Sequence, residues 1–516
     1  MSPLAILNQL TVTQRKIVYA VVGALMLLPI LILGSPADKL DKDGTPIRSG
    51  GYLAQMRFDD ELGEASLGNV DPTSSAMSFG LLGFRGIVAC MLWSDADDLK
   101  QRKEFAQLER KVESIIELQP HFRQVWEFQG WNLAFNVSTE CDDVRDRYKW
   151  VKKGAKFMMR GTERNRRVPE LHWQTGYFFG HKIGSADEKD AYRRFFIADP
   201  DENDPDIFGK NDPEINPEGK GNYEVARDWY LQTNALVLSG REQHQMDEPL
   251  ILAYPSSALI EHADSIQEDG VQPDGMQLAR HEDILEALAE LSYDDDPEKL
   301  KEKQARLEAA YDAWKERCQT AWEKAYDSWV TDYGRMRLRA TDLNRTKFIL
   351  EIDEDEVEHL AKLQDVQPEV IQGWRTRYRK TTNYPTRKQR CHIESQPKMT
   401  EARYKLAEGK RLFTHMSDFQ NSRRLLLDGL KDIEEVVLEY NRADGSNGVL
   451  VDEPDIVRNI IKSQILLEQA YLLSHEKPPE EFPLKDLVWN SQDSIIQDIK
   501  LESQQAYQAM FGYLTQ

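Results

Sequence analysis

The stretch from Gly83 to Ser138, GFRGIVACMLWSDADDLKQRKEFAQLERKVESIIELQPHFRQVWEFQGWNLAFNVS, does most to limit what this chain can fold into. Its apolar residues recur every three to four positions, the period of a helix with one buried face. Pro120 ends the second helix, because proline has no amide donor and clashes with the turn before it. Counting back from Pro120, the positions that must pack between helices are Leu92, Ala96, Leu99, Leu108, Val112 and Ile115, all apolar. Counting forward, Trp126, Gly130 and Leu133 supply an aromatic, a close-contact glycine and a large aliphatic residue. A helix pair of this kind cannot bury its apolar faces alone and has to stack on neighbours.

This spacing follows the tetratricopeptide (TPR) pattern of helix, turn and helix ending at a proline, then W-x2-L-G-x2-Y, with Gln129 as the departure. The expected fold is therefore all-α: an N-terminal transmembrane helix, then an elongated TPR-like array of helical hairpins that includes a coiled-coil-like one. At 516 residues the chain exceeds one ordinary compact domain. Its 66 Lys and Arg against 88 Asp and Glu give a net charge of -22, the wrong sign for gripping phosphate backbones, so no nucleic acid is expected as partner. The cysteines Cys90, Cys141, Cys318 and Cys391 are widely separated and form no CxxC or Cys/His zinc spacing. They are expected to be buried as small apolar residues.

Residues 1–16 read as a short cytoplasmic N-terminus. Residues 17–34, IVYAVVGALMLLPILILG, carry no charge and would span about 27 Å as a helix, close to a hydrocarbon core of about 30 Å. Arg15 and Lys16 directly before it favour an inside N-terminus, hence a single-pass inner-membrane protein with most of the chain extracytoplasmic. A cleaved signal peptide is the rival reading, given small residues at Ser35-Pro36-Ala37. Residues 35–52 form a polar tether and 53–198 the TPR-like repeats. Residues 199–222, DPDENDPDIFGKNDPEINPEGKGN, read as a solvated loop insertion. Asp199, Asp201 and Asn203 imitate the start of a calcium loop, but Asp204 and Lys210 stand where glycine and glutamate are needed. Residues 223–335 read as helical hairpins with a long heptad-patterned helix through Leu307, Tyr311, Trp314, Cys318, Ala321 and Ala325. A helical connector (336–398), strand-like or irregular near 334–350, leads to C-terminal TPR-like hairpins at 399–516.

The connector holds the most distinctive charge feature, Arg375, Arg377, Arg379, Lys380, Arg387, Lys388 and Arg390, with no acid among them. It is a candidate partner-binding patch, or else a set neutralised by nearby acids such as Glu351 and Asp355. No GxSxG, HExxH or GxGxxG occurs, and GYFFGHK at 176–182 is one residue short of a phosphate loop. The histidines, among them His121, His172, His181 and His281, are isolated. No catalytic residue, cofactor or metal ligand is therefore assigned.

In DPTSS, GFRG, LQPHF, VWEFQGWNLAFNVS, DDVRDRYKWV and GHKIGSADE, over much of residues 50–440, the chain resembles uncharacterised planctomycete-type membrane-anchored proteins with TPR-like helical organisation. The resemblance implies that architecture and no established activity. Some members are labelled iron-responsive-element proteins, but the basic groove and metal-ligand cluster such a label requires are missing from this sequence. The expected function is a non-enzymatic membrane-anchored scaffold that holds a protein partner at the cell envelope. The alternatives are an envelope enzyme or ligand-binding protein with a pocket near 199–222, and a structural envelope component.

Overall fold

The computed structural model describes residues 85–241, 246–269, 297–414, 417–440 and 453–511, with a few isolated positions besides. They are overwhelmingly helical. In chain order the helices are α1 (Arg85–Gln101), α2 (Phe105–Leu118), α3 (Arg123–Trp131), α4 (Val144–Arg164), α5 (Pro169–Tyr177), α6 (Lys189–Ile197) and α7 (Asn222–Leu238). The short α8 (Glu248–Leu252) leads to α9 (Tyr254–Asp269), and the long α10 spans Pro297–Asp327. Then come α11 (Glu354–Gln364), α12 (Pro368–Thr381), α13 (Tyr384–Glu394), α14 (Pro397–Thr414), α15 (Phe419–Glu439), α16 (Pro454–Leu473) and α17 (Ser494–Phe511). Three helices widen into π turns at their C-terminal ends: Asn132–Val137, Phe178–Ile183 and Ser328–Gly334. The stretch that read as strand-like holds the antiparallel pair β1 (Leu338–Arg339) and β2 (Lys347–Phe348), with Leu338 opposite Phe348. The amide of Gln364 takes both the N–H and the C=O of Lys347, which closes the outer edge of β2.

The chain divides into two compact units, 1–142 with 150–174, and 143–149 with 175–516. In the first, Ala96, Leu108, Val112, Ile115, Trp126 and Leu133 are buried, while Leu92 is only half-buried. Pro120 does more than stop α2. Its carbonyl accepts the Trp126 indole N–H at 2.9 Å and the Asn165 amide at 3.3 Å. Gly130 is buried, and its carbonyl sits where a Cβ on Gly154 would lie 2.9 Å away. Two turns on, a Cβ on Gly161 would come within 3.0 Å of the Trp126 ring, so α4 can approach α3 only through glycines.

The second unit uses the same device. A Cβ on Gly176 would stand 2.7 Å from the Tyr230 ring, Gly180 faces Ala226, and Gly184 is closed in by Tyr223 and Asn222. Near the C-terminus the relation is reciprocal, Gly409 against Leu426 and Gly429 against Leu406. Leu406 and Leu426 belong to a continuous apolar core running from Ile393 to Ile499. On α10, Trp314, Cys318, Trp322 and Ala325 are buried. Among the described residues α10 packs on α9, α13 and α14. The helical pattern that precedes it, near 279–292, lies outside the described residues.

Several expectations need correction. Among the described residues no helix is long and apolar enough to cross a membrane. This overturns the anchor at 17–34 and the single-pass localisation that rests on it. Of that stretch Ile17, Tyr19, Val21 and Val22 are described, as exposed helical residues. The rest of it, and the tether at 35–52, lie outside the described residues. The most apolar long helix described, α16, carries Arg458, Lys462 and Glu468, and such charges cost about 2.5 to 3.5 kcal/mol each at a bilayer centre.

The excursion 199–222 is exposed over most of its length, as a solvated loop is, yet it is tied down at defined points. Asp199 exchanges backbone bonds with Gly209 and Lys210, and Ile215 and Asn216 are buried. Asn216 donates to the carbonyls of Phe196 and Lys220 and accepts the Lys220 N–H, so its amide replaces regular structure. Cysteine burial holds for Cys318 and Cys391 only; Cys90 is exposed and Cys141 half-buried.

Overpacking one of these helix contacts should be costly. Gly161→Leu is expected to lower unfolding free energy by about 1–3 kcal/mol in urea titrations. Gly373→Ala, on an open helix face where a Cβ meets nothing within 4 Å, should raise it by about 0.5–1 kcal/mol. Equal effects at the two positions would contradict the packing described.

Candidate functional site

The seven basic residues sit on α12 and α13, and the structure spends five of them inside the second unit. Arg375 donates through Nε to the Leu350 carbonyl at 2.9 Å and through Nη2 to that of Ile352 at 2.7 Å. Arg379 shares the Leu350 carbonyl at 3.0 Å and lies 3.9 Å from Glu351. Lys388 meets the other oxygen of Glu351 at 2.6 Å. Burial alone would raise the Glu351 carboxyl, but Lys388 and Arg379 outweigh it and hold the group below its ordinary range. Arg387 donates to the Ser257 hydroxyl at 2.7 Å, and Arg390 to Asp264, also at 2.7 Å, both acceptors on α9. Arg377 and Lys380 are exposed, with the Arg377 guanidinium over the half-buried Trp374 ring. Asp355 makes no part of this arrangement; the acids that serve it are Glu351 and the distant Asp264.

These guanidiniums are stacked as well as paired. Arg390 lies over Trp322 at 5.5 Å, Arg387 over Trp329 at 5.4 Å and Arg379 over Tyr384 at 5.3 Å. Trp322 and Trp329 are one heptad apart on α10 and its π turn, and Arg387 and Arg390 one turn apart on α13. The aromatic seam read from sequence as core is therefore also the platform on which the basic helix rests. Each indole N–H is satisfied: Trp314 donates to the Ile266 carbonyl, Trp322 to Gln267 and Trp329 to the Tyr384 carbonyl.

From Trp322 the polar chain continues inward. Gln267 donates to Glu394 at 3.4 Å, and Arg403 grips the same carboxylate at 2.5 Å. Glu394 is 2% exposed, so four helices (α9, α10, α13 and α14) meet on one desolvated charge and its partners. Burial pushes the Cys318 and Cys391 thiols nearby up to about 12, which makes them inert packing groups at neutral pH.

Asp264 has a second neighbour. It lines a cavity of about 90 Å³ with Gly184, Ser185, Lys189, Arg193, Tyr223, Glu261 and Ser265. The π turn Phe178–Ile183 delivers Gly184 and Ser185, α6 the two cations, and α9 the two carboxylates and Ser265. Ser185 and Tyr223 hydroxyls lie 3.1 Å apart, and Tyr223 donates to the Gly184 carbonyl at 2.9 Å. No residue of the 199–222 insertion lines this cavity; Tyr223, just beyond it, does. The i, i+4 pair Lys189 and Arg193 was readable as one helix face, but its meeting with residues about seventy positions later was not.

Around the same region the buried side chains have shifted titrations. Burial pushes His262 below its ordinary 6.5, partly opposed by Glu224 at 4.0 Å. Burial likewise pulls Lys182 down from its usual value and Tyr148 well up, the latter with the help of Asp199 and Asp212. In the first unit burial also lowers His172, whose ring bonds the Val168 carbonyl. Among the described residues no group of three or more His, Cys, Asp or Glu is arranged to hold a metal ion. No protein-family model matches the chain, and neither curated proteins nor solved structures show significant similarity to it.

Two outcomes follow from these contacts. Arg403→Leu leaves Glu394 charged and buried without its partner and should cost about 3–5 kcal/mol, whereas the double change Arg403→Leu with Glu394→Leu should recover much of that loss. Urea denaturation of the three variants measures the difference. The histidines predict a pH effect of definite sign. Their folded pKa values lie below 6.5, so as pH falls through that value the unfolded chain takes up protons that the folded chain refuses. Stability should therefore decline from about pH 6.5 downward, and His262→Gln should flatten the melting-temperature profile there. A profile unchanged by that substitution would remove His262 from the account.

Proposed function

We propose that this chain is a non-enzymatic helical-repeat scaffold whose surface holds a protein partner. One observation carries the reading: the strongest chemical groups in the fold are consumed by packing. Five of seven clustered cations serve carbonyls, acids and aromatic rings of their own chain, and the buried Glu394 is committed to Arg403 and Gln267. What α12 leaves outward is the profile of a contact face. Val370 is 40% exposed, Gly373 is open, and Trp374 is half-buried under Arg377, with Lys380 further along. Stacked helical hairpins provide such faces without internal chemistry, and the step from this architecture to a scaffold role is an analogy. The resemblance to planctomycete-type TPR-like proteins fits the same reading and adds no activity to it.

The test compares exposed and internal cations. The partner is first identified by crosslinking to the intact chain and then titrated as a purified protein. Arg377→Glu with Lys380→Glu should weaken its binding roughly tenfold at low salt, while melting stays unchanged. Arg387→Glu should lower the melting temperature instead, because it strips a guanidinium from Ser257 and Trp329. Partner binding that survives the double substitution at every salt concentration would remove α12 as the contact face.

A further inference from the structure

Helix α12 carries two stripes at helical spacing, and only the inner one, with Ile371 and Tyr378, is fully buried. Val370, Gly373, Trp374 and Arg377 stand at i, i+3, i+4 and i+7, so they share a second face. Gly373 is the informative member of that face. Elsewhere in this fold a helical glycine receives a side chain from a neighbouring helix: Gly161 receives Trp126, Gly176 receives Tyr230, and Gly409 receives Leu426. A Cβ on Gly373 would meet nothing within 4 Å. Glycine weakens a helix interior relative to alanine, and no contact among the described residues calls for it here. The notch that admits a helix at the other positions is present on α12 and open.

The ground beside the notch is rigid. Phe348 and Tyr378 stack at 5.2 Å and 11°, and Trp374 continues the ladder at 6.1 Å and 25°. The Tyr378 hydroxyl donates to Asp247 at 2.9 Å, which fixes the ladder from within. Over Trp374 lies the Arg377 guanidinium at 5.2 Å. Stacking occupies the flat side of a guanidinium and leaves its in-plane N–H groups directed outward, the geometry that grips a carboxylate. Among the described residues neither Arg377 nor Lys380 is held by an acid or a carbonyl. No Asp or Glu occurs from Val370 to Ile393, and the one acid of α12, Glu369, stands at its other end.

We propose that this face seats an acidic amphipathic helix of the partner protein, an inference that deepens the scaffold reading and rests on it. The apolar stripe of that helix packs on Val370 and Trp374 and enters the notch at Gly373. Its carboxylates pair with Arg377 and Lys380, while Glu369 repels acids from the opposite end and so sets the direction in which the helix lies. Charge complementarity selects the sign, because the cations of this face have no acid of their own chain among them. The glycine selects the form, since a close helix contact is what glycine admits at the other positions. A phosphate backbone fits less well: two cations beside an apolar notch give few phosphate contacts, and the chain as a whole carries a net charge of -22.

The experiment titrates the full chain with labelled helical peptides of about four turns, followed by fluorescence anisotropy at low salt. The first has leucine along one face and glutamate at its flank, the second has lysine for every glutamate, and the third has serine for every leucine. Saturable binding of the first is expected, with the other two roughly tenfold weaker or more. Arg377→Gln with Lys380→Gln should weaken the first peptide about tenfold, and so should Gly373→Leu, which fills the notch from a position where the fold itself has room. No saturable binding of the first peptide would overturn the proposal. So would equal binding of the lysine peptide, displacement of the peptide by phosphatidylserine vesicles, or binding that Gly373→Leu leaves unchanged. Should a variant fail to fold, the three peptides on the wild-type chain still decide the matter. Failure here is separable from failure of the scaffold reading. A crosslinked partner that needs Arg377 and Lys380 but docks through a segment without acids overturns this proposal alone, whereas a partner indifferent to both residues removes the face itself.

Discussion

A single desolvated carboxylate, that of Glu394, conditions the packing of the second unit. A charge taken out of water is tolerable only when its partners are held in place, so Arg403 and Gln267 cannot move without loss. Gln267 in turn fixes Trp322, because its carbonyl oxygen accepts the indole N–H at 2.8 Å. Trp322 then offers its face to Arg390, whose guanidinium reaches Asp264. A continuous set of contacts thus runs from the buried carboxylate to the wall of the polar cavity. Register between α9, α10, α13 and α14 follows from matching these groups, which apolar contact alone would leave free to slide.

Close approach of helices is the second condition, and glycine supplies it at spacings of four or seven residues. Gly176, Gly180 and Gly184 receive Tyr230, Ala226 and Tyr223 of α7, and Gly154 and Gly161 receive the α3 backbone and Trp126. The π turns act with these glycines. Where a helix widens by one residue, the chain leaves its axis at a new angle. The Phe178–Ile183 turn in this way presents Gly184 and Ser185 to the cavity, and the Ser328–Gly334 turn sets Gly334 against the Tyr384 ring. Helices assembled so tightly hold the groups they carry in fixed positions.

Helical content, the ends of most helices and much of the core were legible in the chain itself. The causes are local. Proline at 120, 368 and 454 marks helix boundaries, and the 3.6-residue period identifies faces such as Leu108, Val112 and Ile115. Trp314, Trp322 and Trp329 were recognisable as packing residues because a heptad seam is a one-dimensional pattern. The anchor at 17–34 shows the limit of the same method. An uncharged run satisfies a length criterion without showing that a spanning helix forms, and no such helix is found among the described residues.

The fate of the charges was decided only in three dimensions. Sequence offered Glu351 and Asp355 as neutralisers of the basic cluster because they are near in number. The fold used Glu351, then Asp264, Ser257 and the rings of Trp322 and Trp329 from helices some sixty to one hundred and thirty residues away. The insertion 199–222 shows the same division, since its Asp, Asn and Pro content announces turns but not the burial of Asn216 against Phe196. Periodicity and breakers determine which segments become helices, for those depend on residues within a turn or two of one another. Which helix meets which, and therefore whether a cation is a docking group, a stacking group or a cavity wall, depends on long-range packing that minimises buried unpaired charge. That selection is made by the tertiary structure, because the pairing energies act through space and carry no trace in local spacing.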